Sequence, residues 1–110
     1  MNKKFKLSAK EIVDLIPPMG GALATDKITV DGMKIGYMYR EKPINELDSG
    51  WRFFEGDEGQ EYTNNTKNSG VYNVNTIANY DPTIIPYLLM PIGTKMERIP
   101  GTNRFKEVFD

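Results

Sequence analysis

Apolar and polar positions alternate most clearly over residues 33–39 and 51–55. In the first stretch Met33, Ile35, Tyr37 and Tyr39 fall on one face, and Lys34, Gly36, Met38 and Arg40 on the other, the period of two that a strand requires. In the second, Trp51 and Phe53 share a face and Arg52 and Phe54 share its opposite. The polar connection between them contains Pro43 and no strong periodicity. This pattern predicts an antiparallel hairpin with a long tip. Apolar groups on both faces place that hairpin centrally in a sheet covered by helices. Gly36, inside the first strand, marks a bulge or the close approach of another backbone.

The flanking segments predict the other elements. Ser8 with Glu11 three residues on forms a capping box, and Leu7, Ile12, Leu15 and Ile16 make one stripe, so a short helix is expected up to the stop at Pro17-Pro18. Residues 22–24 read as a strand, and 28–30 as a second short strand ended by Asp31-Gly32. Residues 56–59 are a turn and 64–70 a loop. Residues 71–78 suit a short strand followed by a helical turn. Asp81-Pro82 reads as an N-cap with proline at the first helical position, opening a helix whose buried side is Ile84, Ile85, Leu88 and Leu89 and which Pro86 limits. Residues 93–99 and 104–109 read as final strands. Together these describe an α+β fold: one domain over residues 1–110, mainly an antiparallel sheet of about five strands, with an N-terminal helix and one or two short later helices.

Composition narrows the chemistry. Of 110 residues, 39% are hydrophobic and 26% charged, the balance of a soluble globular chain. There is no cysteine and no histidine, which excludes Ser-His-Asp and Cys-His catalysis, thiolate metal sites and the usual zinc ligands. The net charge of −1 lacks the basic excess of a nucleic-acid binder. The N-terminal lysines are followed by no apolar stretch of ~7–15 residues, as a signal peptide needs, and no run approaches ~18 apolar residues. No nucleic acid or membrane partner, no cofactor and a cytoplasmic location are therefore expected.

Charge is unevenly spread. Residues 41–61 hold seven acids against Lys42 and Arg52. Such a tract is either a solvated loop face or a surface that steers a cationic partner. Asp57, Glu58 and Glu61 are the one grouping that resembles general acid/base material, but a wet turn does not raise a carboxyl pKa as a glycosidase pair requires. The same segment lacks the alternating ligands and distal glutamate of a calcium loop. Arg52 is either half of a bidentate arginine–carboxylate pair within the sheet or an anion-binding arginine. The six tyrosines suit the edge of the core, and exposed ones suit an interface.

Two stretches carry a resemblance: Lys34-Ile35-Gly36-Tyr37-Met38-Tyr39-Arg40-Glu41-Lys42-Pro43 and Asp48-Ser49-Gly50-Trp51-Arg52-Phe53-Phe54-Glu55-Gly56-Asp57-Glu58. Asn75-Thr76-Ile77-Ala78-Asn79-Tyr80-Asp81-Pro82 and Pro91-Ile92-Gly93 extend it. Over residues 22–109 the chain resembles the bacterial immunity protein thirty-three family, once a domain of unknown function and later placed among predicted immunity proteins of polymorphic toxin systems. The resemblance implies an intracellular α+β domain, not an enzyme, that binds and silences a cognate toxin. The expected partner-binding residues are Asp48, Trp51, Arg52, Glu55, Asp57, Glu58 and Glu61, the acids meeting a basic toxin cleft. The rival expectation is a small-ligand or regulatory domain using Arg52 and the aromatic residues.

Overall fold

The two alternating segments become the centre of a six-stranded sheet in the computed structural model, which describes residues 3–109; residues 1, 2 and 110 of the expected domain lie outside the described residues. The strands are β1 (Gly21–Thr25), β2 (Tyr37–Arg40), β3 (Asp48–Phe54), β4 (Ser69–Asn73), β5 (Lys95–Arg98) and β6 (Phe105–Glu107). Their order across the sheet is β4-β1-β3-β2-β5-β6. The expected hairpin is β2 against β3, with Tyr37 opposite Phe54 and Arg40 opposite Trp51. The sheet is mixed rather than wholly antiparallel, because β1 runs parallel to β3.

Three short helices, α1 (Asp26–Thr29), α2 (Gln60–Asn64) and α3 (Val74–Tyr80), accompany the sheet, with a 3₁₀ segment at Pro82–Tyr87. Buried Ala22, Ala24, Met38, Trp51, Phe53, Met96 and Phe105 from the strands pack with Ile28, Val74, Ile77, Ala78, Ile84 and Leu88, so one face of the sheet makes the core. Within β3 the expected division of faces holds, with Trp51 and Phe53 inward. In β2 it is Met38 that faces the core, while Tyr37 and Tyr39 lie on the opposite face. The reason is Gly36. A Cβ there would sit 2.1 Å from the Glu55 carbonyl oxygen, so the backbone passes too closely for a side chain. The alternation breaks at this point, and both Ile35 and Met38 end in the core.

Four other expectations change. Residues 28–30 belong to the α1 turn and not to a strand. Residues 33–36 precede β2 rather than extend it. Leu89 is exposed because the segment after Asp81 is a tight 3₁₀ turn that ends before it. The N-terminal helix is only a 3₁₀ turn, Ala9–Glu11, although Ser8 N–H does donate to the Glu11 carboxylate at 2.9 Å. Beyond it residues 12–16 form no helix and are held by two asparagines one turn apart on α3. Asn75 Oδ1 accepts from the N–H groups of Leu15 and Ile16 at 2.8 and 3.2 Å, and Asn79 Oδ1 from Val13 N–H at 3.1 Å. Both asparagine amides donate back to the Val13 carbonyl at 2.9 Å. These bonds replace those a helix would make internally, and an isolated segment this short has little helical stability to oppose them.

Asp81 ties the layers together. It is 2% exposed, closes α3 and caps the next turn by accepting from Thr83 N–H at 3.2 Å. Its other oxygen accepts from Ile35 N–H at 3.0 Å and pairs with Arg98 of β5 at 2.5 Å. Arg98 in turn donates to the Ile35 carbonyl at 2.9 Å and lies over the Phe105 ring. The NYDP stretch thus clamps the irregular approach to β2.

Candidate functional site

The face of the sheet opposite the core carries Leu23, Val71, Arg52, Phe54, Tyr37 and Tyr39. Arg52 is opposite Leu23 on β1 and Tyr39 on β2. Tyr39 stacks on Phe54 with ring centres 5.7 Å apart, and Tyr37 lies within 6.0 Å of both rings. The aromatic residues therefore form one continuous ladder beside Arg52.

At the start of β3, Asp48 and Arg52 make a bidentate pair, Nη1 to Oδ1 at 2.9 Å and Nη2 to Oδ2 at 2.8 Å. Four residues of a straight strand would span about 13 Å and keep them apart. Gly50 closes the gap. It has φ +88°, and a Cβ there would lie 2.2 Å from the Glu41 carbonyl oxygen. Here β3 bulges, and the register slips between Gly21 and Leu23 of β1. Arg52 Nε also donates to Glu41 at 2.6 Å, and Nη1 to the Trp51 carbonyl at 3.0 Å. Four of its five N–H donors are committed within the chain, so of the two expected readings of Arg52 the geometry fits the internal pair.

This pair anchors the 41–47 connection. Asp48 accepts from the N–H groups of Ile44 at 3.0 Å and Gly50 at 2.9 Å, Asn45 Oδ1 from Leu47 N–H at 2.9 Å, and the Leu47 carbonyl from Gly21 N–H at 2.7 Å. The result is an ordered loop that points two branched side chains into solvent: Ile44 is 81% exposed and Leu47 80%. They border a groove of about 530 Å³ with Leu23 and Val71, closed on its polar side by Glu41, Asp48 and Arg52. Strand directions bring more apolar surface to the same end. β2 ends there and β5 begins there, and Val108 N–H donates to the Lys95 carbonyl at 2.8 Å. Exposed Leu89, Ile92 and Phe109 therefore share this end with Ile44 and Leu47.

The remaining expected acids stand beyond the other end of β3 from Asp48. Glu58 folds inward and accepts from Thr25 Oγ1 at 2.6 Å and from the N–H groups of Glu55 and Gly56 at 2.8 Å each. Burial opposes its ionisation, but these bonds outweigh burial and hold its pKa below the usual glutamate value. Glu55 lies 3.8 Å from Lys27 and accepts from Asp57 N–H. Asp57 and Glu61 are exposed. A shallow hollow of about 220 Å³ lies between this turn, at Gly56 and Glu58, and Tyr37, Tyr39, Phe54 and Thr63.

The structure thus divides the seven expected residues. Asp48 and Arg52 sit together, Glu55, Asp57, Glu58 and Glu61 occupy the opposite end, and Trp51 is 0% exposed in the core. Sequence reasoning missed Ile44, Leu47 and Val71. The usable signal was two isolated branched residues within a polar, proline-containing connection. Among the described residues no group of acids is placed to hold a metal ion, and no helix is long and apolar enough to cross a membrane.

The Asp48–Arg52 pair sets an acid dependence. Hydrogen bonds from Arg52, then those from Gly50 and Ile44, overcome burial and hold Asp48 far below the usual carboxylate range. A carboxyl with a depressed folded-state pKa stabilises the fold above the unfolded value, near 3.9, and that contribution is lost as pH falls below it. Asp48→Asn should lower the melting temperature at neutral pH and flatten its decline between about pH 5 and pH 2. Parallel wild-type and variant melting curves through that window would refute this role.

A family model described as Immunity protein Imm33 domain matches residues 22–109. Comparison with curated proteins and with solved structures gives no match.

Proposed function

Given that the chain belongs to the Imm33 immunity protein domain family, we propose that it neutralises a cognate toxin domain by occlusion, docking through the Ile44–Leu47 loop and the adjoining open face of the sheet. One observation carries this reading: two almost fully exposed branched side chains sit on a loop whose backbone is fixed by Asp48, Asn45 and Gly21. A preordered apolar projection loses little entropy on binding and suits a pocket on a partner. Tyr37 and Tyr39 extend the surface with amphipathic rings, and exposed Glu46 adds an acid to the rim that suits a basic group on a partner. No chemical step is needed. Glu58, one of the three acids grouped as acid/base material, has both oxygens committed to the turn it closes.

Under this reading Asp48 and Arg52 position the loop, while exposed Asp57 and Glu61 at the far end steer at most. Against a toxin domain encoded beside this chain, Ile44→Asp and Leu47→Asp should each weaken binding by at least about tenfold, ~1.4 kcal/mol. Asp57→Lys with Glu61→Lys should alter the association rate and its salt dependence but leave most of the affinity. Titration calorimetry measures both. Full affinity in Ile44→Asp/Leu47→Asp, with loss in the lysine pair, would move the interface to the acidic turn. Binding of a small metabolite that raises the melting temperature, with no toxin bound, would favour the rival ligand-binding reading.

A further inference from the structure

Strand register determines which backbone groups of β4 face outward. Val74 N–H donates to the Gly20 carbonyl at 3.0 Å. In the antiparallel pairing of β4 with β1, Gly70 and Tyr72 therefore turn their N–H and C=O groups inward, and Ser69, Val71 and Asn73 turn theirs away. The surroundings agree: Lys3 Nζ reaches the Ser69 carbonyl at 2.9 Å, and Ser69 N–H donates to the Thr66 carbonyl. Among the described residues no hydrogen bond reaches the N–H and C=O of Val71 from the outer side, and its side chain is 77% exposed.

The two edges of the sheet differ. β6 is three residues long and carries Lys106 and Glu107, the short, charged edge that discourages pairing. β4 is five residues, Ser-Gly-Val-Tyr-Asn, without charge or proline. Such an edge is a template for another strand.

We infer that β4 pairs with β4 of a second copy of this chain, antiparallel across a two-fold axis at Val71. On that axis each Val71 N–H donates to the other Val71 carbonyl, and Asn73 N–H of each copy meets the Ser69 carbonyl of the other on the lone pair that Lys3 leaves open. The two valine side chains become cross-strand neighbours on the open face. The grooves lined by Leu23 and Leu47 then adjoin through them. A second copy fits better than a foreign strand because the edge is self-complementary. The strand itself carries no charged side chain, the cation that reaches its edge (Lys3) is paired with Asp26 at 2.7 Å, and the donor and acceptor of one central residue satisfy each other under the symmetry.

Sedimentation equilibrium of the purified chain, with no toxin present, tests this separately from the toxin reading. Val71→Pro deletes the outward N–H and leaves the bonds to β1 in place. Val71→Lys sets like charges across the axis, and Val71→Thr keeps both the N–H and the β-branch. Wild type and Val71→Thr should show a concentration-dependent dimer, and the proline and lysine variants should lose it with unchanged far-ultraviolet circular dichroism. If the proline variant misfolds, the lysine variant decides. A wild type that stays monomeric up to about 1 mM, the range of weak specific contacts, overturns the inference, as does a dimer that survives the lysine variant. A chain that is monomeric alone but whose Val71→Lys variant no longer binds toxin assigns the edge to the toxin and also overturns it.

Discussion

Asp81→Ala should lower the free energy of unfolding by about 3–5 kcal/mol, the usual loss when one member of a buried ion pair is removed. A chain of this size has roughly 5–15 kcal/mol in total, so the loss is between about a fifth of that stability and all of it. The effect is large because one carboxylate serves four partners: Arg98, Ile35 N–H, Thr83 N–H and the Thr83 hydroxyl. Its removal leaves the Arg98 guanidinium without its anion beside Phe105 and uncouples β5 from the approach to β2. Asp81→Asn keeps an acceptor for Ile35 or Thr83 and should lose less than Asp81→Ala. Adding Arg98→Ala to Asp81→Ala should add little, since the charge it removes is already unpaired. Urea denaturation of the four proteins of this cycle measures it. Additive losses would show that Asp81 and Arg98 act independently.

Trp51→Ala should be comparably severe, about 3–5 kcal/mol for deleting a large buried aromatic side chain. Trp51 stacks on Phe53 with ring centres 5.9 Å apart, lies under the Arg40 guanidinium and donates Nε1–H to the Leu88 carbonyl at 3.0 Å. Trp51→Phe retains most of the volume and gives up that hydrogen bond, so a loss of about 1–2 kcal/mol is expected. Leu88 O keeps a long contact from Arg40 at 3.5 Å and Met90 O one at 2.9 Å, which holds the 88–90 segment in place. This variant also tests the placement of Trp51. It should bind toxin with wild-type affinity despite its lower melting temperature. A selective loss of binding in a stably folded Trp51→Phe would mean that the tryptophan reaches the interface.

The hairpin was legible because a strand encodes its faces directly: the alternation of period two over residues 51–55 puts Trp51 and Phe53 on one face and Arg52 and Phe54 on the other, although it did not say which face is the core, and Trp51 was expected at the interface. Asp81 was legible as a cap because Asp-Pro at a helix start is a local signal. The N-terminal helix misled because the capping box at Ser8 and Glu11 is also local and did form. What it could not disclose was competition from Asn75 and Asn79, some sixty residues away, whose amides offer the backbone of residues 13–16 hydrogen bonds outside a helix.

The candidate site was less legible still. Arg52 and the acids were visible as a tract, and family resemblance supplied a partner. Tract membership nevertheless grouped Asp48 with Glu58, although one anchors the loop before β3 and the other closes the turn after it. The exposure of Ile44, Leu47 and Val71 cannot be inferred from residue type, because apolar side chains are buried by default unless topology leaves no layer over them.

By itself the sequence determined the class of fold, the aromatic hairpin at its centre and a chemistry without thiol or imidazole. These depend on periodicity and composition, which need no knowledge of distant residues. The tertiary structure alone decided that β1 runs parallel to β3, that a bulge at Gly50 draws Asp48 onto Arg52, and that one end of the sheet displays the apolar side chains. Each of those depends on which distant segments meet, and so on the balance of all contacts in the folded chain rather than on any local preference.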